Sequence, residues 1–254
     1  MAIAAWRLSL ASLLLAPLAG RDLAGLTRLT PGQWWLMLAA GATLALHFFT
    51  WIAAVQWTTV ANASMFFAVN PVFTSLGGYL VYRERPSPKL LVSIGLGLAG
   101  VAVIGWSDLN FNPSHLHGDL ASVVCAVLFT FYFLLGKKLR QALPTTAYVT
   151  TLYGTAGLLS FGVLAALGEP FFAYDSRTWL CFGLMALVPT VIGHTALNNA
   201  LSLMPTGRIA TATLSEPLLA GAVAWLAWGE TVTAGAMAGY ALICASVAVL
   251  ATDL

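Results

Sequence analysis

The chain has 254 residues, 59% of them hydrophobic and only 8% charged, where a soluble domain carries about a quarter charged residues. That composition excludes a water-soluble globular domain and implies an integral membrane protein. A formal net charge of +2 offers no basis for a nucleic-acid partner, and the distribution of the basic residues carries more information than their sum.

Nine apolar stretches follow one another: 3–19, 33–55, 60–81, 89–106, 120–136, 146–167, 178–200, 209–228 and 234–252. Each is close to the ~20 residues that a helix needs to cross ~30 Å of hydrocarbon. Helices satisfy their own backbone hydrogen bonds in lipid, and the period-2 alternation of a membrane β-barrel is missing. The expected fold is therefore an all-α integral membrane protein, a polytopic bundle of nine transmembrane helices. The connections are short, so any chemistry must lie within the bundle.

The first stretch carries Arg7 and has no basic residue ahead of it, which favours a spanning helix over a cleaved signal. In the second, Thr43, His47, Thr50 and Trp51 share one helical face. The third has Asn70 and Pro71 at its centre, and the fourth carries Gly95, Gly97 and Gly100, a small surface for close helix approach. The loop that follows holds His115, His117 and Asp119; three groups without a fourth ligand make a poor metal site, and Asp119 reads as a helix N-cap. No metal and no cofactor is expected.

The fifth stretch contributes Phe129 and Tyr132 as aromatic contact surface, and the seventh places His194 and Asn198 one turn apart with Asn199 beside them. In the eighth, Glu216 and Pro217 interrupt an apolar run. An acid at helix centre costs ~2.5 to 3.5 kcal/mol on insertion scales, so it faces a cavity or a partner. Pro71 and Pro217 lack an amide hydrogen, which leaves the carbonyls of Phe67 and Thr213 without their helical donor. Glu84 and Glu230 end their helices, each ahead of a capping residue, Ser87 or Thr233, and read as structural or gating groups. Gly235 and Gly239 line the ninth stretch. Cys125, Cys181 and Cys244 lack CxxC spacing and read as small core residues.

Alternating the loops between two sides collects Arg21, Arg28, Arg83, Arg85, Lys89, Lys137, Lys138, Arg140 and Arg208 on one side, leaving Arg177 and Arg7 on the other. The positive-inside rule makes the first side cytoplasmic, with the C-terminus inside and residue 1 outside. An offset of 146 residues superimposes stretches six to nine on stretches one to four: Pro71 meets Pro217 and Glu84 meets Glu230, and a one-residue slip brings His47 onto His194. Asn70 and Glu216 are equivalent. The expected organisation is a first repeat at 1–106, a linker at 107–119 and a second repeat at 120–254. A five-helix unit repeated in this way inverts in the membrane, the plan of many secondary transporters. The first copy has no counterpart to stretch five, so a truncated chain start is expected.

The segments "RLSLASLLLAPLA" (7–19), "NPVFTSLGGYLVYRERPSP" (70–88) and "SEPLLAGAVAWLAWGETVT" (215–233) resemble the drug/metabolite transporter superfamily, in particular its EamA-like members with two five-helix halves. The resemblance implies a multi-pass protein of the cell (inner) membrane that transports small organic metabolites such as amino acids, amines or drug-like compounds, by facilitated diffusion or proton-driven exchange. The residues themselves point to the same class: alternating access around Glu216, Asn70, His47, Trp51, His194, Asn198, Asn199 and Tyr132. The expected partners are a small-molecule substrate, the bilayer, H+ as coupling ion, and a second copy if the glycine surfaces form a dimer contact. There is no P-loop, HExxH or GxSxG, so neither ATP hydrolysis nor an intramembrane enzyme is expected. A non-transporting scaffold or a defective transporter is the alternative.

Overall fold

The computed structural model describes residues 1–106, 113–229 and 233–253, and among these the regular structure is helical. The membrane-length helices are α1 (Ala2–Ala19), α2 (Pro31–Trp57), α3 (Val60–Tyr82), α4 (Pro88–Gly105), α5 (Leu116–Arg140), α6 (Thr145–Ala166), α7 (Ser176–Ala200), α8 (206–228) and α9 (Ala234–Ala251). Among the described residues eight of them are long and apolar enough to cross a membrane. Side-chain burial is sorted as a lipid environment dictates. Small residues such as Ala4, Ala5 and Ala11 are buried, while Leu13, Leu14, Leu18, Leu219 and Leu226 face outward.

Three helices are interrupted. In α3, helix stops at Phe67 and restarts at Asn70, and in α8 a 3-10 turn, Thr213–Ser215, separates Thr206–Ala212 from Glu216–Trp228. Pro71 and Pro217 sit in the first turn of the restarted segments, where a missing N–H costs nothing. The prolines therefore begin new helices instead of bending continuous ones. In α7 the stretch Ala186–His194, with Pro189 inside it, is a π-helix.

The 146-residue offset recurs in the element boundaries. Asn70–Tyr82 and Glu216–Trp228 are both 13 residues long, and Pro88–Gly105 and Ala234–Ala251 are both 18. Both 13-residue segments end on a left-handed residue, Arg83 (φ 59°) and Gly229 (φ 66°). Both following helices carry hydroxyl N-caps: Ser87 accepts from Leu90 N and Thr233 from Ala236 N.

The chain nevertheless divides into two compact units that cut across these repeats: residues 1–52 with 131–204, and residues 53–130 with 205–254. In the first unit α1 packs on α6, where a Cβ on Gly157 would stand 3.0 Å from the backbone nitrogen of Ser9 and Ser12 Oγ donates to Thr150 O at 2.8 Å. One end of this unit is aromatic: Trp6 meets Phe161 and Trp179 at centroid distances of 5.0 and 4.6 Å and donates its indole N–H to Phe171 O. At the other end Arg140 donates to Asn198 O (3.2 Å), Ser202 Oγ (3.0 Å) and Leu143 O, and Lys137 donates to Met204 O. Cations at carbonyl-rich helix C-termini satisfy orphan acceptors and complement the dipole.

In the second unit α4 and α9 pack through Gly100 and Gly239. A Cβ on Gly100 would lie 2.8 Å from Gly239 O and 2.7 Å from Ile243. Ser93 Oγ donates to Ser246 O (2.8 Å) and Ser246 Oγ to Ser93 O (2.7 Å), a reciprocal pair buried in the same seam. Of the glycines singled out in the sequence, Gly97 also lies in this packing, against Leu214 and Ser246, whereas a Cβ on Gly95 would meet open space.

Candidate functional site

Within the first unit a closed ring of contacts surrounds a buried cation. Arg7 is only 7% exposed; its Nε donates to Thr190 Oγ1 at 2.6 Å and its guanidinium carbon lies 4.2 Å from the centroid of the Phe48 ring. Thr190 is part of the π-helix and donates its hydroxyl to Met185 O, five residues back. Tyr153 OH lies 3.5 Å from Thr190 O and 3.3 Å from Thr195 Oγ1, and it accepts from Asn198 Nδ2 at 3.4 Å. Asn198 Nδ2 also donates to His194 O at 2.7 Å. The His194 ring closes the circle against Phe48, at 5.4 Å between centroids, with Tyr132 at 6.4 Å.

The structure thus brings His194, Asn198 and Tyr132 together, and His47 is buried next to Phe48 on α2. Trp51 is half-buried one turn further along. Thr43 and Thr50 bond to carbonyls of their own helix, Ala39 and Ala40 for one and Leu46 and His47 for the other. Asn199 is exposed, and its Oδ1 accepts from Thr145 Oγ1 at 2.7 Å near the end of the unit.

Arg7 and the π-helix are what sequence reasoning missed. Arg7 is a charge inside an apolar run, where ionisable groups mark functional positions, whereas the sequence reading uses it only against a cleaved signal and for topology. Pro189 was the available sign of an irregular α7, since π-turns concentrate where the ladder is broken and at functional sites.

In the second unit the two helix restarts carry the other predicted residues. Asn70, 1% exposed, donates Nδ2 to Thr213 Oγ1 of α8 at 3.4 Å, and among the described residues nothing donates to its Oδ1. Thr213 stands three residues ahead of Glu216, so α3 reaches α8 at the break. Glu216 is exposed, in the first turn of its segment, where the positive end of the helix dipole favours a carboxylate. Phe129 is buried in this unit, edge-on to Phe67 at 5.7 Å.

Carboxylates also organise both ends of the second unit. Glu84 Oε2 accepts from Thr206 N (2.9 Å) and Thr206 Oγ1 (2.8 Å), capping the N-terminus of α8. Asp253 pairs with Arg208 at 3.0 Å and accepts from Ser87 Oγ at 2.7 Å. At the opposite end Asp119 is a correction to the sequence reading. It does not cap its own helix, which begins at Leu116; it is buried in the first turn and accepts from Thr58 Oγ1 (2.7 Å) and Asn62 Nδ2 (3.2 Å). Glu230 lies outside the described residues.

The sequence pattern of the EamA-like transporter family matches residues 1–106 and 116–252. An uncharacterised transporter of Archaeoglobus fulgidus is 29% identical over 78% of this chain and 69% of its own length. A probable amino-acid metabolite efflux pump of Salmonella typhimurium is 27% identical over 83% of this chain and 74% of its own length. A solved crystal structure shares the fold, with a TM-score of 0.81 at 20% identity over 98% of this chain and 85% of that one. Family match, apolar helices and mid-span breaks agree: the chain belongs to the EamA-like transporter family and is a multi-pass membrane transporter.

Proposed function

We propose that this transporter moves a small polar organic metabolite, of amino-acid, amine or drug-like chemistry, by alternating access, with Glu216 as the proton-coupling group. The observation that carries this reading is the pair of repeat-related helix restarts at mid-span, one opening on Asn70 and the other on Glu216. Discontinuous helices at the membrane midplane present half-helix termini and polar side chains to solutes. An exposed carboxylate at such a position exchanges protons with water more readily than one sealed in the core, while its depth still makes its charge state costly to ignore. The Salmonella relative, a probable amino-acid metabolite efflux pump, supports the same substrate class. On this reading the protein resides in the cell (inner) membrane with its C-terminus in the cytoplasm, following the basic loops.

The test is flux in proteoliposomes over a panel of amino acids, amines and nucleobase metabolites, with and without a pH gradient. Wild-type protein should move one class in a gradient-dependent manner. Glu216→Gln should reach the membrane in equal amount yet lose that dependence. Gradient-sensitive transport surviving in the Gln variant would remove Glu216 from the coupling step.

A further inference from the structure

The end of the second unit where α3 gives way to α4 carries Arg83, Arg85 and Lys89, with Arg208 of α8 drawn to it through Asp253. Two of these cations are engaged: Lys89 Nζ donates to Thr252 O at 2.7 Å, and Arg208 pairs with Asp253 at 3.0 Å. Glu84, between the two arginines in sequence, is partly buried and accepts through Oε2 from Thr206 N and Oγ1, so its carboxylate is committed to α8. Arg83 and Arg85 are exposed, and among the described residues neither guanidinium has a partner. Arg83 stands in the left-handed region at φ 59°, where the repeat-related position holds Gly229 at φ 66°. That conformation penalises a Cβ and suits glycine, so the turn does not call for an arginine. An exposed side chain adds nothing to the core either, which leaves a partner outside the chain. The flanking helical turns expose apolar side chains, Leu80 and Val81 ahead of Arg83 and Leu91 and Val92 after Lys89. Guanidinium groups bind phosphate through paired hydrogen bonds, and basic groups beside membrane helices attract anionic headgroups.

We propose that this end of the second unit binds an anionic glycerophospholipid: the headgroup phosphate docks on Arg83 and Arg85, and the acyl chains lie on the exposed apolar side chains of α3 and α4 beside them. A zwitterionic lipid brings a cation of its own to the two guanidiniums, so the site separates the two lipid classes by charge. The bound lipid braces the turn between α3 and α4. In the second repeat Gly229 offers no such charge at the equivalent turn, so the first repeat alone is tied to the membrane surface in this way.

The experiment titrates the purified full chain in detergent with palmitoyl-oleoyl phosphatidylglycerol or palmitoyl-oleoyl phosphatidylcholine, which have the same acyl chains. Native mass spectrometry counts the bound lipid and thermal shift follows stability. Wild-type protein should favour phosphatidylglycerol by about twentyfold, since each arginine near a membrane surface contributes about fivefold to the affinity for an anionic lipid. Arg83→Gly and Arg85→Gln should each lower that ratio about fivefold, and the double variant should bring it close to one. Glycine suits the left-handed turn, so Arg83→Gly should melt no lower than wild type without lipid and still lose its lipid preference. Arg28→Gln and Lys138→Gln, at exposed cations of the first unit, should leave the ratio unchanged. Glycerol 3-phosphate, a soluble phosphate without acyl chains, should not compete at the same concentration. Equal binding of the two lipids, an unchanged ratio in the Arg83 and Arg85 variants, or an equal loss in the first-unit variants would overturn the proposal. Full competition by glycerol 3-phosphate would overturn it as well, by marking a site for a free anion.

Discussion

At residues 70–71 and again at 216–217 the second unit carries out the same backbone operation. An apolar helix stops, a residue with a polar side chain opens a new 13-residue segment, and proline follows in the first turn. The side chains differ in what they ask of their surroundings. Asn70 is sealed in the core, tied to Thr213 by one long hydrogen bond, with its carbonyl oxygen lacking a donor among the described residues. Glu216 is exposed. The same break therefore holds its polar residue in two settings: a buried neutral amide at Asn70 and an exposed ionisable acid at Glu216.

The sharpest way to break this comparison is to put an acid at the sealed position. Asn70→Asp removes the Nδ2 donor to Thr213 and buries a carboxylate, and should cost about 3 kcal/mol, the scale on which central membrane positions penalise ionised acids. Glu216→Gln, a near-isosteric change that brings no new charge into the core, should cost less than Asn70→Asp. Thermal or denaturant unfolding in one detergent compares the two directly. Equal tolerance of both changes would mean that the burial difference does not distinguish the breaks.

A smaller effect lies at the far end of the same segments. Both close in the left-handed region, but the first does so with Arg83 and the second with Gly229. The Arg83 end is an αL closure, with Arg83 N donating to Tyr79 O at 3.0 Å and Glu84 N reaching back to Gly78 O at 3.2 Å. A side chain with a Cβ in this region costs roughly 1–2 kcal/mol, partly offset by the freedom that glycine gives the unfolded chain. Arg83→Gly should stabilise the protein by up to about 1 kcal/mol, and Gly229→Ala should destabilise it by about 1 kcal/mol. Opposite signs in the two unfolding curves would confirm that the closures are equivalent; the same sign would separate them.

Much of this architecture was legible in the letters because lipid enforces it. Nine apolar stretches matched the observed helices to within a few residues, apart from a longer fifth helix that takes in His117 at its start and the basic cluster Lys137–Arg140 at its end. The 146-residue offset survived as identical helix lengths because turn and cap chemistry, Ser87 and Thr233 in particular, fix where segments begin. Two features were not legible. A π-helix leaves no hydrophobic period in a segment that is apolar all round, so Ala186–His194 gave no sign beyond Pro189. Long-range polar contacts such as Arg7 with Thr190 or Asp119 with Asn62 have no local signature, and local rules assigned both charged groups to the nearest familiar task, topology and N-capping.

The first-repeat closure differs from the second in one further respect, and here the expected effect is smallest. Ser87, besides capping α4, donates its hydroxyl to Asp253 beyond the end of α9, and Asp253 also pairs with Arg208 near the start of α8. The hydrogen bond from Ser87, followed by the attraction of Arg208, holds the Asp253 carboxyl below the ordinary aspartate range. Folding therefore favours the ionised form. Stability from this contact is fully present above the unfolded pKa, near 3.9, and is lost as pH falls through the lower folded value. The Arg208 and Asp253 side chains are 23% and 9% exposed, so added salt should weaken their pairing only in part. Melting temperatures recorded downward from pH 6 should show wild type losing ground on Asp253→Asn only below about pH 4, where the charge difference between them disappears. A gap that closes already near neutral pH would place the titrating group elsewhere, and a gap that never closes would mean that the aspartate stabilises by its shape and not by its charge.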